Sequence, residues 1–314
     1  MIKATRNTAS VMNTVVLATI PATLCLVWFY GPGVLLNLLL CIFTALACEA
    51  GVSVLRQRPF KHTWADRSAL VAAILLALSL PPITPLWLPI CATAFAIVIG
   101  KQLYGGLGQN PFNPAMVGYA AALIAFPREM SLWPQTWGST GLSISELSGG
   151  YSNLAWDAIS SATLLDASNT ALRAGHALPS IELWQQPASW VALCWIIGGC
   201  WLLYRQIISW HIPAGLLVSF ALLASVFYLV DPSRYSSPLT HLFSGACMMA
   251  AFFIATDPVS APAHRHARLL YGACIGLLIY VIRTWGSFPD GVAFAVLLMN
   301  LAAPALDHLW RGRV

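Results

Sequence analysis

GGLGQNPFNPA at 105–115 breaks the succession of apolar runs in the first half of the chain. Its three glycines let the backbone turn sharply and approach a neighbour closely, while Pro111 and Pro114 stop one helix and start another. Before it, LALSLPP at 76–82 ends an apolar run at two prolines. The same order returns in the second half of the chain: FIATDPVSAP at 253–262, an apolar run, then GSFPDGVAF at 286–294. Each half thus carries a proline-stopped helix, a crossing, and a broken stretch that opens a new helix. Two halves with an odd number of crossings each must run in opposite senses through a membrane. The expected fold is an all-α polytopic membrane protein of about ten transmembrane helices in two inverted five-helix repeats with broken or re-entrant helices.

Composition supports a membrane chain. Of the 314 residues, 58% are hydrophobic and 9% charged, against about a quarter charged in soluble domains. Apolar runs that read as crossings lie near 11–30, 33–55, 67–81, 86–101, 114–127, 188–205, 211–230, 238–255, 268–284 and 290–310. The organisation expected is a first membrane repeat over 1–127, a polar segment over 128–187, and a second membrane repeat over 188–314. Lys3, Arg6, Arg56, Arg58, Lys61, Arg67, Lys101, Arg205, Arg265, Arg268, Arg311 and Arg313 fall on one side when ten crossings are drawn. By the positive-inside rule that side, with both termini, is cytoplasmic, and 128–187 is periplasmic in a bacterial inner membrane. The N-terminal run reads as an uncleaved first span. The small net charge of +5 sits in loops, a topology signal rather than a nucleic-acid footprint.

Few residues suit chemistry, and no catalytic side chain or metal-ligand set stands out. All eight cysteines lie in apolar runs without a C-x-x-C pair, which favours packing over a cluster held by this chain alone. His176, His211, His241, His264, His266 and His308 lack paired ligand spacing. Glu49, near the end of the second run, either lines an ion path or reaches the interface beside Arg56 and Arg58. Asp257, before Pro258, either caps a helix or binds a cation on such a path, capping being the default. In the opening stretch, Gly106, Gly108, Asn110 and Asn113 either contact a ligand or only permit a re-entrant bend.

The polar segment is rich in Ser, Thr, Gly, Asn and Trp. Trp133, Trp137, Trp156 and Trp184 form an interfacial belt or a wall for an aromatic ligand. Within it lies WDAISSATLLD at 156–166, whose lean Ser-Ser-Ala-Thr run exposes the Thr163 hydroxyl; an ordinary helix start capped by Asp157 or Ser160 fits the same residues.

Asp157-x-x-Ser160-Ser161-Ala162-Thr163 closely resembles the D-x-x-S/T-G/S-A-T flavinylation signature. GGLGQNPFNPA at 105–115, TDPVSAP at 256–262 and PDGVAFAVLLMNLAAP at 289–304 resemble, in order, companion motifs of the RnfD/NqrB family. Those are the flavin-carrying membrane subunits of ion-translocating electron transport complexes, and the short N-terminus is more similar to the Rnf branch. Ser161 stands where members often carry glycine, a small-for-small departure. The resemblance implies FMN joined through its phosphate to Thr163 by a periplasmic flavin transferase. It further implies a second, non-covalent flavin (riboflavin or FMN) near Gly106, Gly108, Asn110 and Asn113. It also implies electron relay from a flavoprotein similar to RnfG, small membrane subunits as further partners, and coupling to sodium or proton movement. A small-solute channel or secondary transporter is the competing reading of an inverted-repeat fold.

Overall fold

The computed structural model describes residues 7–57, 64–134, 136, 160–161, 163–174, 176, 182–288 and 290–310. Asp157, Ala162 and most of the polar segment lie outside them. Helical structure occupies every predicted apolar run. Among the described residues six helices are long and apolar enough to cross a membrane: α1 (Thr8–Tyr30), α2 (Gly33–Leu55), α8 (Pro187–Tyr204), α9 (His211–Val230), α12 (Arg265–Trp285) and α13 (Val292–Trp310). Shorter apolar helices are α3 (Ser68–Ser79), α4 (Trp87–Ile97, prolonged as a π-helix over Val98–Gln102) and α5 (Pro114–Ala125). The run expected over 238–255 is broken into α10 (Pro238–Leu242) and α11 (Cys247–Met249), which continues as a π-helix over Ala250–Ile254.

Local chemistry sets these boundaries. The Asn113 side chain accepts the Met116 N–H at 3.3 Å while Pro114 fills the first helical position, where its missing N–H is harmless. Ser237 does the same for Thr240 at 3.1 Å ahead of Pro238. Each π-helical turn precedes a Gly- or Pro-rich stretch: Leu103 N–H reaches Val98 O at 2.8 Å, and Ala255 N–H reaches Ala250 O at 2.9 Å.

The long and short helices have different surroundings. Trp28 in α1 is 81% exposed and Phe43 in α2 is 70% exposed, apolar side chains turned outward as lipid-facing helices require. In α3, by contrast, every residue from Ala72 to Leu78 is buried. A helix apolar all round and too short to span belongs inside protein. In both halves the second helix packs on the fourth and the fourth on the fifth: α2 on α4 and α4 on α5, then α9 on α12 and α12 on α13. The halves meet where α1 packs on α8 and α5 on α13.

Between the halves run three small elements that matter for the site. Helix α6 (Pro127–Ser131) leads into β1 (Trp133–Pro134), which pairs antiparallel with β2 (Ser160–Ser161), Trp133 opposite Ser161. Immediately after β2, α7 (Leu164–Ala174) begins.

Candidate functional site

Thr163 stands at the start of α7, so the helix begins later than a cap at Asp157 or Ser160 would place it. Its Oγ1 accepts the Asp166 N–H at 3.2 Å and donates its own proton to Asp166 Oδ2 at 2.8 Å. The hydroxyl that the sequence suggests is simply exposed is therefore held by a carboxylate three residues on. Burial raises the Asp166 carboxyl above the ordinary range, against the bonds from Thr163 that pull it down. Leu165 beside it is buried and ties α7 to the bundle.

Thr163 and Asp166 line a cavity of about 360 Å³. Its wall includes aromatic rings from the first half (Tyr30, Tyr119), from the polar segment (Trp133) and from the second half (Trp195), with Leu78, Met116 and Met249 between them. Tyr30 and Trp133 meet edge to face at 5.8 Å between ring centres. Asp290, Ser244, Gly245 and Ala246 also line it. Arg283, 1% exposed, organises this part. Its guanidinium grips Asp290 with two hydrogen bonds of 3.1 and 3.2 Å, and donates to His241 O at 2.8 Å and Ser244 O at 3.2 Å. Asp290 in turn accepts the Ala246 N–H at 2.9 Å. The break between α10 and α11 is thereby fixed rather than loose. Gly245 is required there: its φ is +63°, and a Cβ would run into Asp290, Leu165 and Arg283. The Ser244 hydroxyl oxygen is buried with no hydrogen-bond partner among the described residues.

A second cavity, about 240 Å³, is lined by Glu49, Ser53, Arg56, Asp66, Lys101, Gln102, Gly105 and Gly106. Glu49 pairs with Lys101 at 2.5 Å, both side chains 3% exposed, so it points into protein. Lys101 also donates to Ser68 Oγ at 2.6 Å, Ser68 donates to Asp66 at 2.7 Å, and Gln102 donates to Glu49 at 3.3 Å. The result is a continuous polar chain at the ends of α2, α3 and α4.

The predicted residues therefore separate into groups. Gly106 joins Glu49 at the second cavity, while Thr163 stands at the first. Gly108 has φ +85°, Asn110 closes a turn by donating to Phe112 O at 2.8 Å, and neither lines a cavity named above. Asn113 donates to Ile254 O at 3.1 Å, and its backbone N–H reaches Asn300 Oδ1 at 3.0 Å, joining the broken stretches of the two halves. Asp257 accepts Ser260 Oγ at 2.9 Å and closes a turn after the second π-helix. Among the described residues no cluster of His, Cys, Asp and Glu could hold a metal ion. Sequence reasoning missed Asp166, Lys101 as the partner of Glu49, Ser244, and the Arg283–Asp290 pair. Asp166 had a signal, the third-residue spacing of a capping box. Ser244 had none.

Comparison with known proteins gives a consistent result. The sequence matches the family described as NQR2, RnfD, RnfE over residues 1–314. It is 48% identical over 322 residues to the D component of the ion-translocating oxidoreductase complex of Pseudomonas aeruginosa strain UCBPP-PA14, covering 99% of this chain and 92% of that protein. To the protein of the same description from Yersinia pseudotuberculosis serotype O:1b it is 44% identical over 334 residues, covering 98% and 94%. The counterpart from Escherichia coli O81 is likewise 44% identical over 334 residues, with the same coverage of 98% and 94%.

Proposed function

The chain belongs to the NQR2, RnfD, RnfE family, and from that premise we propose that it is the membrane subunit of an ion-translocating oxidoreductase complex, carrying FMN as a phosphoester on Thr163. The observation that carries the reading is the coincidence of the signature threonine with a large, aromatic-walled cavity. At about 360 Å³ the cavity falls in the range of small-molecule sites, about 300–1,000 Å³. Its lining fits a flavin: a hydroxyl for the phosphate, aromatic and aliphatic walls for a flat ring, and in Ser244 a buried hydroxyl free to bond a polar ring atom.

Thr163 would tether the group, and Tyr30, Tyr119, Trp133 and Trp195 would bind its ring and exclude water. Arg283, through Asp290, would keep the 243–246 break, and with it Ser244, in position. Bound flavin supplies one- or two-electron redox chemistry, which the surrounding side chains tune by polarity and hydrogen bonding. The polar chain from Asp66 to Glu49 is the corresponding candidate for the ion path, and the broken stretch holding Gly106, Gly108, Asn110 and Asn113 for a second, non-covalent flavin, riboflavin or FMN. Sodium or protons would move in step with electrons passed from an RnfG-like flavoprotein, with small membrane subunits completing the assembly. The short apolar helices and the matching packing order of the two halves support about ten membrane segments in two inverted repeats, set in a bacterial inner membrane.

Mass spectrometry of the peptide containing Thr163, from cells that also contain the flavin transferase, tests the reading. The expected result is an FMN adduct on Thr163, lost in Thr163→Val together with electron flow. An unmodified peptide from such cells overturns it.

A further inference from the structure

Asp166 lies against the one oxygen that this modification must use. Part of its role is structural, because its carboxylate receives the Thr163 backbone N–H and so closes a capping box at the start of α7. The bond from Thr163 Oγ1 to Asp166 Oδ2, at 2.8 Å, is additional. It satisfies no free helical N–H; it aims the hydroxyl proton at a carboxylate. An alcohol is a poor nucleophile until a neighbouring base takes that proton. The pair lines the cavity that the modifying group must reach. Burial keeps the carboxyl above its ordinary range and strengthens it as an acceptor.

We propose that Asp166 is the general base for flavin attachment to Thr163, a role supplied by the acceptor chain rather than by the transferase alone. The inference rests on the reading that Thr163 carries FMN. The co-reactant is a flavin phosphoanhydride. Thr163 Oγ1 forms a bond to the flavin phosphorus, the anhydride P–O bond breaks, the second phosphate leaves with the bonding pair, and the Thr163 proton passes to Asp166 Oδ2. No electron is gained or lost by the flavin. Afterwards Asp166 is neutral, so the new phosphodiester anion does not face a carboxylate at hydrogen-bond distance. Among the described residues, the other charged groups at this cavity are Asp290 and the Arg283 that holds it, with the phenols of Tyr30 and Tyr119.

The test uses the full chain in detergent, the flavin transferase and FAD as the phosphoanhydride, with attachment followed by intact mass. Asp166→Asn keeps an oxygen that can accept both Thr163 bonds but cannot take the proton. The expected result is an attachment rate lower by about 10²-fold or more, with an unchanged unfolding midpoint and partial rescue in Asp166→Glu. Attachment to Asp166→Asn at the wild-type rate overturns the inference while leaving the Thr163 reading intact. Should Asp166→Asn fold poorly, the wild-type rate decides: it must rise with pH as one carboxyl ionises, and a flat profile overturns the proposal. A wild-type chain that takes no flavin from FAD overturns the Thr163 reading itself, and the role of Asp166 with it.

Discussion

At the scale of single residues, the chain's ionisable side chains are consequential because so few are buried. Glu49 and Lys101 are each withdrawn from solvent and joined to one another. Removing one partner leaves the other charge buried and uncompensated. Glu49→Gln or Lys101→Met is therefore expected to destabilise the chain by about 3–5 kcal/mol, with much of the loss recovered in the Glu49→Leu, Lys101→Leu double variant. Unfolding in detergent, followed by circular dichroism, measures both. Single variants as stable as the wild type would mean that water reaches the pair freely. The sequence makes Glu49 conspicuous as a carboxylate within an apolar run, and puts Lys101 at a span edge. It does not join them, because 52 positions separate them and only the packing of α2 against α4 closes that distance.

At the scale of elements, helix boundaries were readable and helix contacts were not. Pro114 and the run beginning at 238 mark starts that the structure keeps, each capped by the side chain before it, Asn113 and Ser237. The apolar run 238–255 reads as one helix, yet it breaks at 243–246, because the buried guanidinium of Arg283 claims the carbonyls of His241 and Ser244. The α9–α12 pair shows how crossings are specified. Gly272 and Gly276 bring α12 against the backbone of Ile212 and Leu216 in α9, where a Cβ would collide. Gly276→Leu is expected to force the pair apart and lower stability by about 1–3 kcal/mol or more. The same unfolding measurement checks it, and a neutral result would show that the helices can slide without loss.

At the scale of the whole molecule, helix length decides the architecture, with α3 the short helix that is buried along its length. Among the described residues six helices meet the length requirement for a membrane, while α3, α4 and α5 are shorter and α3 is enclosed by protein neighbours. On the ten-segment reading, the polar segment and the two termini lie on opposite sides. A reporter inserted after Ser148 should then be active only outside the cytoplasm, and one fused after Val314 only inside it. Activity of both on one side would require a different number of crossings. The candidate cavity is also a property of the whole: Leu26 and Tyr30 come from α1, Thr163 from the segment between halves, and Ser244 and Asp290 from the second half.

The sequence by itself determined the membrane class, the positions of the apolar runs, the proline stops and starts, and the family signature ending at Thr163. These are local properties, written in composition, spacing and short motifs, and they survive without knowledge of neighbours. Only the tertiary structure decided that Glu49 is paired, that Asn113 links the broken stretches of the two halves, and that Asp166 holds the Thr163 hydroxyl in the wall of an aromatic cavity. A cavity and a buried ion pair are made by residues far apart in the chain. Their energies depend on distance and solvent exclusion, quantities that no local pattern records.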